Sequence, residues 1–372
     1  MMISKFTAWP FHSDDEIMAV NEVLQSGKTN YWTGTHAREF ENEYAKATGT
    51  EYAVALMNGT VALEAALYAL DIGPGDEVIT TSRTFIASAS AIVMRGATPI
   101  IADVDDESQN MTVETIESCI TDRTRAIIVV HLAGWPADMH GILALAKRYD
   151  IRVIEDCAQA HGAMIDDRRV GSFGDVAAFS FCQDKIITTG GEGGMITTND
   201  KAIWEKIWSY KDHGKNYDKV YHQSHPPGFR WLHDSFGTNW RMTEMQAAIG
   251  RIQLQKLDTW RSIRNDFALI FNECFSEISG LRITLPPENI THAYYKYYVF
   301  VEPEAFRAGW SRDRVIQEVV SNGVPCFSGS CSEIYLEQAF VKNNLFVKTK
   351  PVAKKLGETS LMLLVHPTLT TE

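Results

Sequence analysis

The chain reads as an α/β protein: a mainly parallel sheet covered by helices on both faces, followed by a smaller α+β lobe. Three observations predict it. Short β-rich runs alternate with helical stretches from residue 51 onward, the first strand ends in a glycine turn that opens a helix, and a long amphipathic run near residue 243 separates this alternation from the C-terminal third of the chain.

Residues 51–57 (EYAVALM) predict the first strand, and Leu63, Leu67 and Leu70 follow at helical spacing. Further strands are predicted at 77–80, 98–102, 125–132 and 151–156, with a helix over 137–149 between the last two. Strands separated by helices imply a mainly parallel sheet. Residues 176–181 and 195–198 add two more strands on either side of the cluster Gly190-Gly-Glu-Gly-Gly194; Asn199 and Asp200 then open a helix, and the sheet ends. Residues 211–238, rich in His, Pro, Gly and aromatics, predict a long irregular loop. Met245, Ile249, Ile252, Leu257, Trp260, Ile263, Phe267, Phe271 and Phe275 recur every three or four residues and predict one helix over about 243–278. Such a helix joins two lobes, so residues 1–249 are expected to form the large lobe with an N-terminal arm, and residues 250–372 the small one, with a strand at 294–301.

The 372 residues, 45% of them apolar, are enough for a sizeable core. The net charge of -12 argues against a nucleic-acid-binding surface. Six cysteines without a CxxC pair read as reduced thiols and hence a cytoplasmic protein. Residues 1–16 lack the pattern of an export signal, and no run of about 18 apolar residues suggests a membrane span. Eleven histidines form no metal-binding spacing, so no metal is expected.

Three features carry chemistry. Asp156 closes a predicted parallel strand, at the sheet edge where open α/β folds bind ligands; taken singly, it also reads as a capping or turn aspartate. Lys185 lies between a strand and a glycine turn. A lysine becomes a nucleophile toward a carbonyl only where a cleft desolvates its amine; taken singly, it reads as a solvated surface charge. Asn58-Gly59-Thr60 falls at a strand-to-helix turn, where a helix N-terminus receives phosphate, or where the motif is a plain N-cap, with Thr60 able to cap the helix. A phosphate cup, a strand-end carboxylate and a lysine before a glycine turn together match the needs of one cofactor.

The wording around these residues resembles the DegT-type family of pyridoxal-5′-phosphate (PLP)-dependent nucleotide-sugar aminotransferases, within the fold-type I aminotransferases and their seven-stranded sheet. The phrases that carry the resemblance are Met57-Asn-Gly-Thr60, Gly73-Pro-Gly-Asp-Glu-Val78, Thr84-Phe85, Glu155-Asp156-Cys-Ala-Gln159-Ala-His161, Phe179-Ser180-Phe with Lys185 and Gly191-Glu-Gly-Gly194, Asn239-Trp-Arg241-Met, Tyr294-Tyr-Lys-Tyr-Tyr-Val and Leu364-Val-His366-Pro-Thr. They run from about residue 10 to the end. The resemblance implies that Lys185 carries PLP covalently, Asp156 pairs with the pyridine nitrogen, Gln159 lies near the phenolic oxygen and Phe85 stacks on the ring. It further implies that Gly59, Thr60 and Ser180 hold the phosphate beside Asn58, and that Asn239 reaches the site from the other subunit of a homodimer with shared active sites. The partners it implies are an amino acid donor, expected to be glutamate, and a nucleotide-linked keto sugar, giving an amino sugar for surface polysaccharide, glycan or antibiotic synthesis. Tyr31, His161, Arg230, His233 and Arg241 are candidate substrate contacts.

Lysine at 185, where some dehydrating relatives carry histidine, favours amine transfer. Cys182 stands where the family often has histidine or an aromatic residue. Relatives are expected to continue beyond residue 372 into a terminal helix. Two rival readings remain at this point: a non-catalytic sensor on the same fold, and a PLP enzyme acting on a substrate other than a sugar.

Overall fold

The computed structural model describes residues 8–345 and 347–370; the leader reading of residues 1–7 and the last two residues lie outside them. The large sheet comprises β1 (Tyr52–Leu56), β2 (Glu77–Thr81), β3 (Thr98–Ala102), β4 (Thr124–Val130), β5 (Arg152–Asp156), β8 (Val176–Ser180) and β9 (Gly194–Thr198). Between β5 and β8 lies the hairpin β6 (Met164–Ile165) and β7 (Arg168–Arg169), joined by β11 (Ile290–Thr291) in a sheet of its own. The order across the large sheet is β1-β9-β8-β5-β4-β2-β3. The pairs β2–β3, β2–β4, β4–β5 and β5–β8 are parallel, whereas β9 runs antiparallel to both its neighbours.

Seven predicted strands therefore form one sheet, mainly parallel as expected. The central ones are buried on both faces: Ile127, Ile128 and Val129 of β4 are wholly inaccessible, which is why they read as continuous apolar runs and not as alternation. One face packs under helices Gly59–Ala69, Ala87–Met94 and Lys201–Tyr210 through Leu63, Leu67, Ile92 and Trp208. Near β1 and β8 the opposite face packs Phe40, Tyr44, Phe179, Phe181 and Leu257. Helix Met139–Tyr149 covers β4 and β5 through Met139, Ile142 and Leu145. Each such fully buried side chain is worth about 1.5–3 kcal/mol.

The long helix spans Glu244–Ser276 without a break. A capping box starts it: the Thr243 side chain accepts from the Gln246 N–H, and the Gln246 side chain accepts from the Thr243 N–H. Gly250 lets its first half approach Phe40, since a Cβ there would lie 2.6 Å from the ring. Its second half carries Phe267, Ala268, Phe271 and Phe275 against an antiparallel sheet, β10 (Leu281–Arg282), β12 (Tyr297–Val301), β13 (Cys326–Phe327) and β14 (Ser360–Leu363), in the order β10-β12-β14-β13.

The segment 211–238 departs from the expected structureless loop. It holds a short helix, Tyr217–Tyr221, and is clipped by bridges between Asp212 and Asn239 and between Lys215 and His233. Its first residue, Lys211, is fully buried with its Nζ 2.6 Å from Glu41 Oε1. Glu41 also accepts from the Ala55 N–H at 2.9 Å and from the Tyr31 hydroxyl at 3.0 Å. Removing one partner of such a pair strands a buried charge, at a cost of about 3–5 kcal/mol. Lys211→Met is therefore expected to lower the unfolding midpoint sharply, and Lys211→Met with Glu41→Leu to recover part of the loss. Thermal unfolding of the two variants checks this.

Candidate active site

Because β2, β4, β5 and β8 are parallel, the segments that follow them emerge at one edge of the sheet, the edge at which such folds bind ligands. A cavity of about 920 Å³ lies there. β5 delivers Asp156, β8 delivers Ser180, the turn after β1 delivers Asn58, Gly59 and Thr60, and the turn after β2 delivers Phe85; with Gln159 and Lys185, all of these line it.

Asn58 caps helix Gly59–Ala69, its Oδ1 accepting from the Val61 N–H at 3.0 Å. The plain-cap reading and the phosphate-cup reading of this turn are thus compatible, since a capped first turn still presents N–H groups to the cavity. Gly59 is needed for close approach: a Cβ there would lie 2.6 Å from that of Ser180. Phe85 is 68% exposed within the cavity, an uncovered aromatic face. Asp156 is 6% exposed and accepts from Ser88 Oγ at 2.9 Å and the Ala158 N–H at 3.2 Å. Burial pushes its carboxyl above the usual range, against the pull of those two donors. Gln159 Oε1 accepts from the Ala133 N–H at 2.8 Å, which commits its oxygen to the backbone.

The Lys185 side chain is 15% exposed. Its Nζ lies 3.5 Å from the Tyr295 hydroxyl and 3.8 Å from Asp184 Oδ1, while that hydroxyl donates to Asp184 Oδ2. Burial tends to raise the Asp184 carboxyl, but Lys185 and the Tyr295 donor hold it below the usual range. Trp9 Nε1 donates to the Lys185 carbonyl at 3.0 Å and pins the loop from outside.

The five candidate substrate contacts do not line this cavity. Tyr31 is 1% exposed and belongs to the Glu41–Lys211 cluster. His161 is wholly buried, sharing a 2.8 Å hydrogen bond with the Tyr44 hydroxyl through Nδ1 and donating from Nε2 to the Ser180 carbonyl at 2.9 Å. Arg241 is held by Asp212 at 2.6 Å. Arg230 and His233 are exposed in the 211–238 segment, and Asn239 is likewise exposed and outside the cavity of its own chain. Tyr31, His161 and Arg241 are engaged in networks within the chain, and polarity in a sequence does not tell a cavity wall from such a network. Ser88, Asp184, Tyr295 and Lys296 were missed. Only Tyr295 and Lys296 left a trace, in the aromatic run of residues 294–298. Cys182 lines the cavity.

Among the described residues one buried group, His131, Glu155 and Cys157, gathers potential metal donors within 4.8 Å. Its His131 and Glu155 atoms are already engaged: His131 Nδ1 accepts from the Ala137 N–H, and Glu155 takes His131 Nε2 and three backbone N–H groups. No described helix is long and apolar enough to cross a membrane.

A model of the DegT/DnrJ/EryC1/StrS aminotransferase family matches residues 10–372. The chain belongs to that family. It is 36% identical over 353 residues to the GDP-perosamine synthase of Escherichia coli O157:H7, covering 95% of this chain and 91% of that one. To the UDP-N-acetyl-3-dehydro-alpha-D-glucosamine 3-aminotransferase of Acidithiobacillus ferrooxidans it is 37% identical over 365 residues, 96% and 90% of the two chains. An aminotransferase from Psychrobacter cryohalolentis shares the fold at a TM-score of 0.96 and 55% identity, over 98% of this chain and 95% of that one. As a member of this family the chain is a PLP-dependent aminotransferase. The residues present fit the cofactor: an exposed aromatic face, a buried carboxyl with only two donors, a lysine amine, and a helix N-terminus whose glycine leaves room beside Ser180.

Tyr31→Phe removes a core hydroxyl and is expected to cost about 1 kcal/mol of stability with both substrate KM values unchanged, measured by unfolding and steady-state kinetics. Burial pushes His161 and His292 down to about 3, whereas in the unfolded chain they titrate near 6.5. Unfolding therefore takes up protons between those values, and stability is full above pH 6.5 and falls as pH drops toward 3, by up to about 1.4 kcal/mol per pH unit per histidine. Melting temperatures at pH 7 and pH 5 test the slope, which His292→Gln should reduce.

Proposed function

We propose that this aminotransferase moves an amino group from glutamate to a nucleotide-linked keto sugar in the cytoplasm, working as a homodimer. Support for the substrate class comes from the two curated relatives, whose names differ in nucleotide but share a nucleotide-linked sugar product or substrate. The observation that carries the reading is the meeting, in one cavity, of a partly desolvated Lys185 amine with the buried Asp156 carboxyl.

In this reading PLP, when bound, supplies an electron sink for the charge left at the amino carbon. Asp156 would pair with the pyridine nitrogen and keep it protonated, its carboxylate form, which burial disfavours, being favoured by that positive charge. Lys185 would hold the cofactor through its amine and, when that amine is free, would move the proton at the amino carbon. Tyr295 and Asp184 orient its amine. Gln159, its oxygen held by the Ala133 N–H, would offer its amide N–H to the phenolic oxygen, and Phe85 would cover the ring. Gly59, Thr60 and Ser180 would hold the phosphate on the turn that Asn58 caps, and Asn239 would reach it from the partner subunit. Residues 1–249 act as the cofactor lobe and residues 250–372 as the lobe that walls the cleft. Across the whole cycle glutamate would give up its nitrogen and leave as 2-oxoglutarate, and the keto sugar would leave as the amino sugar.

Glutamate alone is expected to convert bound PLP to its aminated form, followed by its visible absorbance; a screen of nucleotide-linked keto sugars against 2-oxo acids then identifies the acceptor class. Absence of conversion with any amino donor refutes the reading. Lys185→Ala is expected to lose the borohydride-trappable link to PLP. Asp156→Asn is expected to retain PLP and lose about 100-fold or more in turnover, and near-normal turnover would refute the role of its charge.

A further inference from the structure

Beside the main cavity lies a smaller one of about 350 Å³, lined in part by Trp9, Asp184, Arg264, Tyr295, Lys296 and His366. The two meet at Asp184, Tyr295 and Lys296, within reach of Lys185, whose amine is 3.5 Å from the Tyr295 hydroxyl.

The charge in this small cavity is unbalanced. Arg264 is 1% exposed; its Nη1 donates to the carbonyl oxygens of Tyr294, Tyr295 and Val365, while Nε and Nη2 have no partner. Trp9 lies over the guanidinium, 5.2 Å from ring centroid to Cζ. Among the described residues no carboxylate pairs with Arg264, and burial pushes it down to about 9. Lys296, half-buried, likewise has no hydrogen-bond or ion-pair partner among the described residues, its Nζ lying 4.7 Å from the centroid of the Tyr295 ring. Burial lowers its amine to about 8, with Asp184 opposing and Arg264 and Lys185 adding to the effect. Among the described residues Asp184 is the one carboxylate lining this cavity, and it is already engaged by Tyr295 and Lys185. His366, pushed down to about 4 by burial, adds no charge at neutral pH.

A buried cation without a partner is costly unless a ligand supplies the counter-charge. Resting on the aminotransfer reading above, we propose that the small cavity is the subsite for a carboxylate of the amino donor, contacted directly by Lys296 with the uncompensated charge of Arg264 behind it. Size and position choose the donor over the other anion of the reaction, the nucleotide diphosphate. A diphosphate carries a nucleoside on one side and a sugar on the other, which calls for the larger cavity. A short dicarboxylate fits the smaller one while its amine faces the main cavity at Lys185. Arg264, inaccessible to water, acts as a positioning charge; Lys296 touches the substrate.

The test uses the holoenzyme and Lys296→Met. In the glutamate half-reaction the apparent dissociation constant is expected to rise about 10- to 100-fold, with the limiting rate within a few-fold of wild type and the KM for the keto sugar unchanged. Lys296→Arg should restore most of the affinity. Calorimetric titration with glutarate, a dicarboxylate without an amine, should show the same weakening without any turnover. An unchanged glutamate constant together with unchanged glutarate binding overturns the subsite. A rise confined to the keto sugar assigns the anion to the diphosphate and overturns the donor assignment, and a collapse of the limiting rate with affinity unchanged makes Lys296 part of the Lys185 environment instead. Wild-type conversion by glutamate is the separate control: its failure sinks the aminotransfer reading, whereas the glutarate titration still judges the cavity.

Discussion

Strand β5 ends in two adjacent carboxylates, Glu155 and Asp156, and successive strand residues point to opposite faces. Glu155 is saturated: Oε1 accepts from the Phe173 and Gly174 N–H groups at 2.8 Å each, and Oε2 from the Gly171 N–H at 2.8 Å and His131 Nε2 at 3.1 Å. The His131 Nδ1 accepts from the Ala137 N–H, which puts the donor proton on Nε2. Burial alone would raise the Glu155 carboxyl, but His131 and these N–H groups outweigh it and hold the group below the usual range. Asp156 has only the Ser88 hydroxyl and the Ala158 N–H, and burial wins. One carboxylate thus ties β5 to the loop before β8, and its neighbour is left short of positive charge at the cavity floor. The rest of the site is arranged around that shortage.

The opposite imbalance lies across the cleft. Lys185, Lys296 and Arg264 bring three cations to the wall built from the Lys185 loop, the long helix and the start of β12, with Asp184 as the nearest carboxylate. A deficit on the floor and a surplus on the wall are both expensive in a protein that keeps them unpaired. In the proposed assignment both would become favourable once a cofactor with a cationic ring nitrogen and an anionic donor are in place. In that assignment the unpaired charges of the folded chain are the ones its ligands would neutralise, as expected where binding and catalysis share one preorganised site.

Much of the fold was legible because its core strands are apolar throughout. Ile127 to Val130 and Val153 to Ile154 could hardly be anything but buried strand, and the Thr243–Gln246 capping box marks the start of the long helix. The direction of β9 was not legible: strand polarity is set by its partners β1 and β8, and a five-residue run reads the same either way. The helix at Tyr217–Tyr221 was hidden in a segment whose composition suggests only loop. Its aromatic residues pack with Trp204 and Trp208, which lie in another helix.

At the site, the sequence by itself determined which groups chemistry could use. Asp156, Lys185 and the Asn58–Thr60 turn each had a bland reading alone and stood out only as a set at strand ends and turns, whereas the roles of Gln159 and Ser180 came from the resemblance to the DegT-type family. Tyr31, His161 and Arg241 carry the same functional groups, yet only tertiary packing decided that they close internal networks with Glu41, Tyr44 and Asp212. It also decided that Tyr295 and Lys296, more than a hundred residues after Lys185, stand beside it. Hydrogen-bond partners and unpaired charge depend on contacts between distant segments, and local spacing carries no record of them.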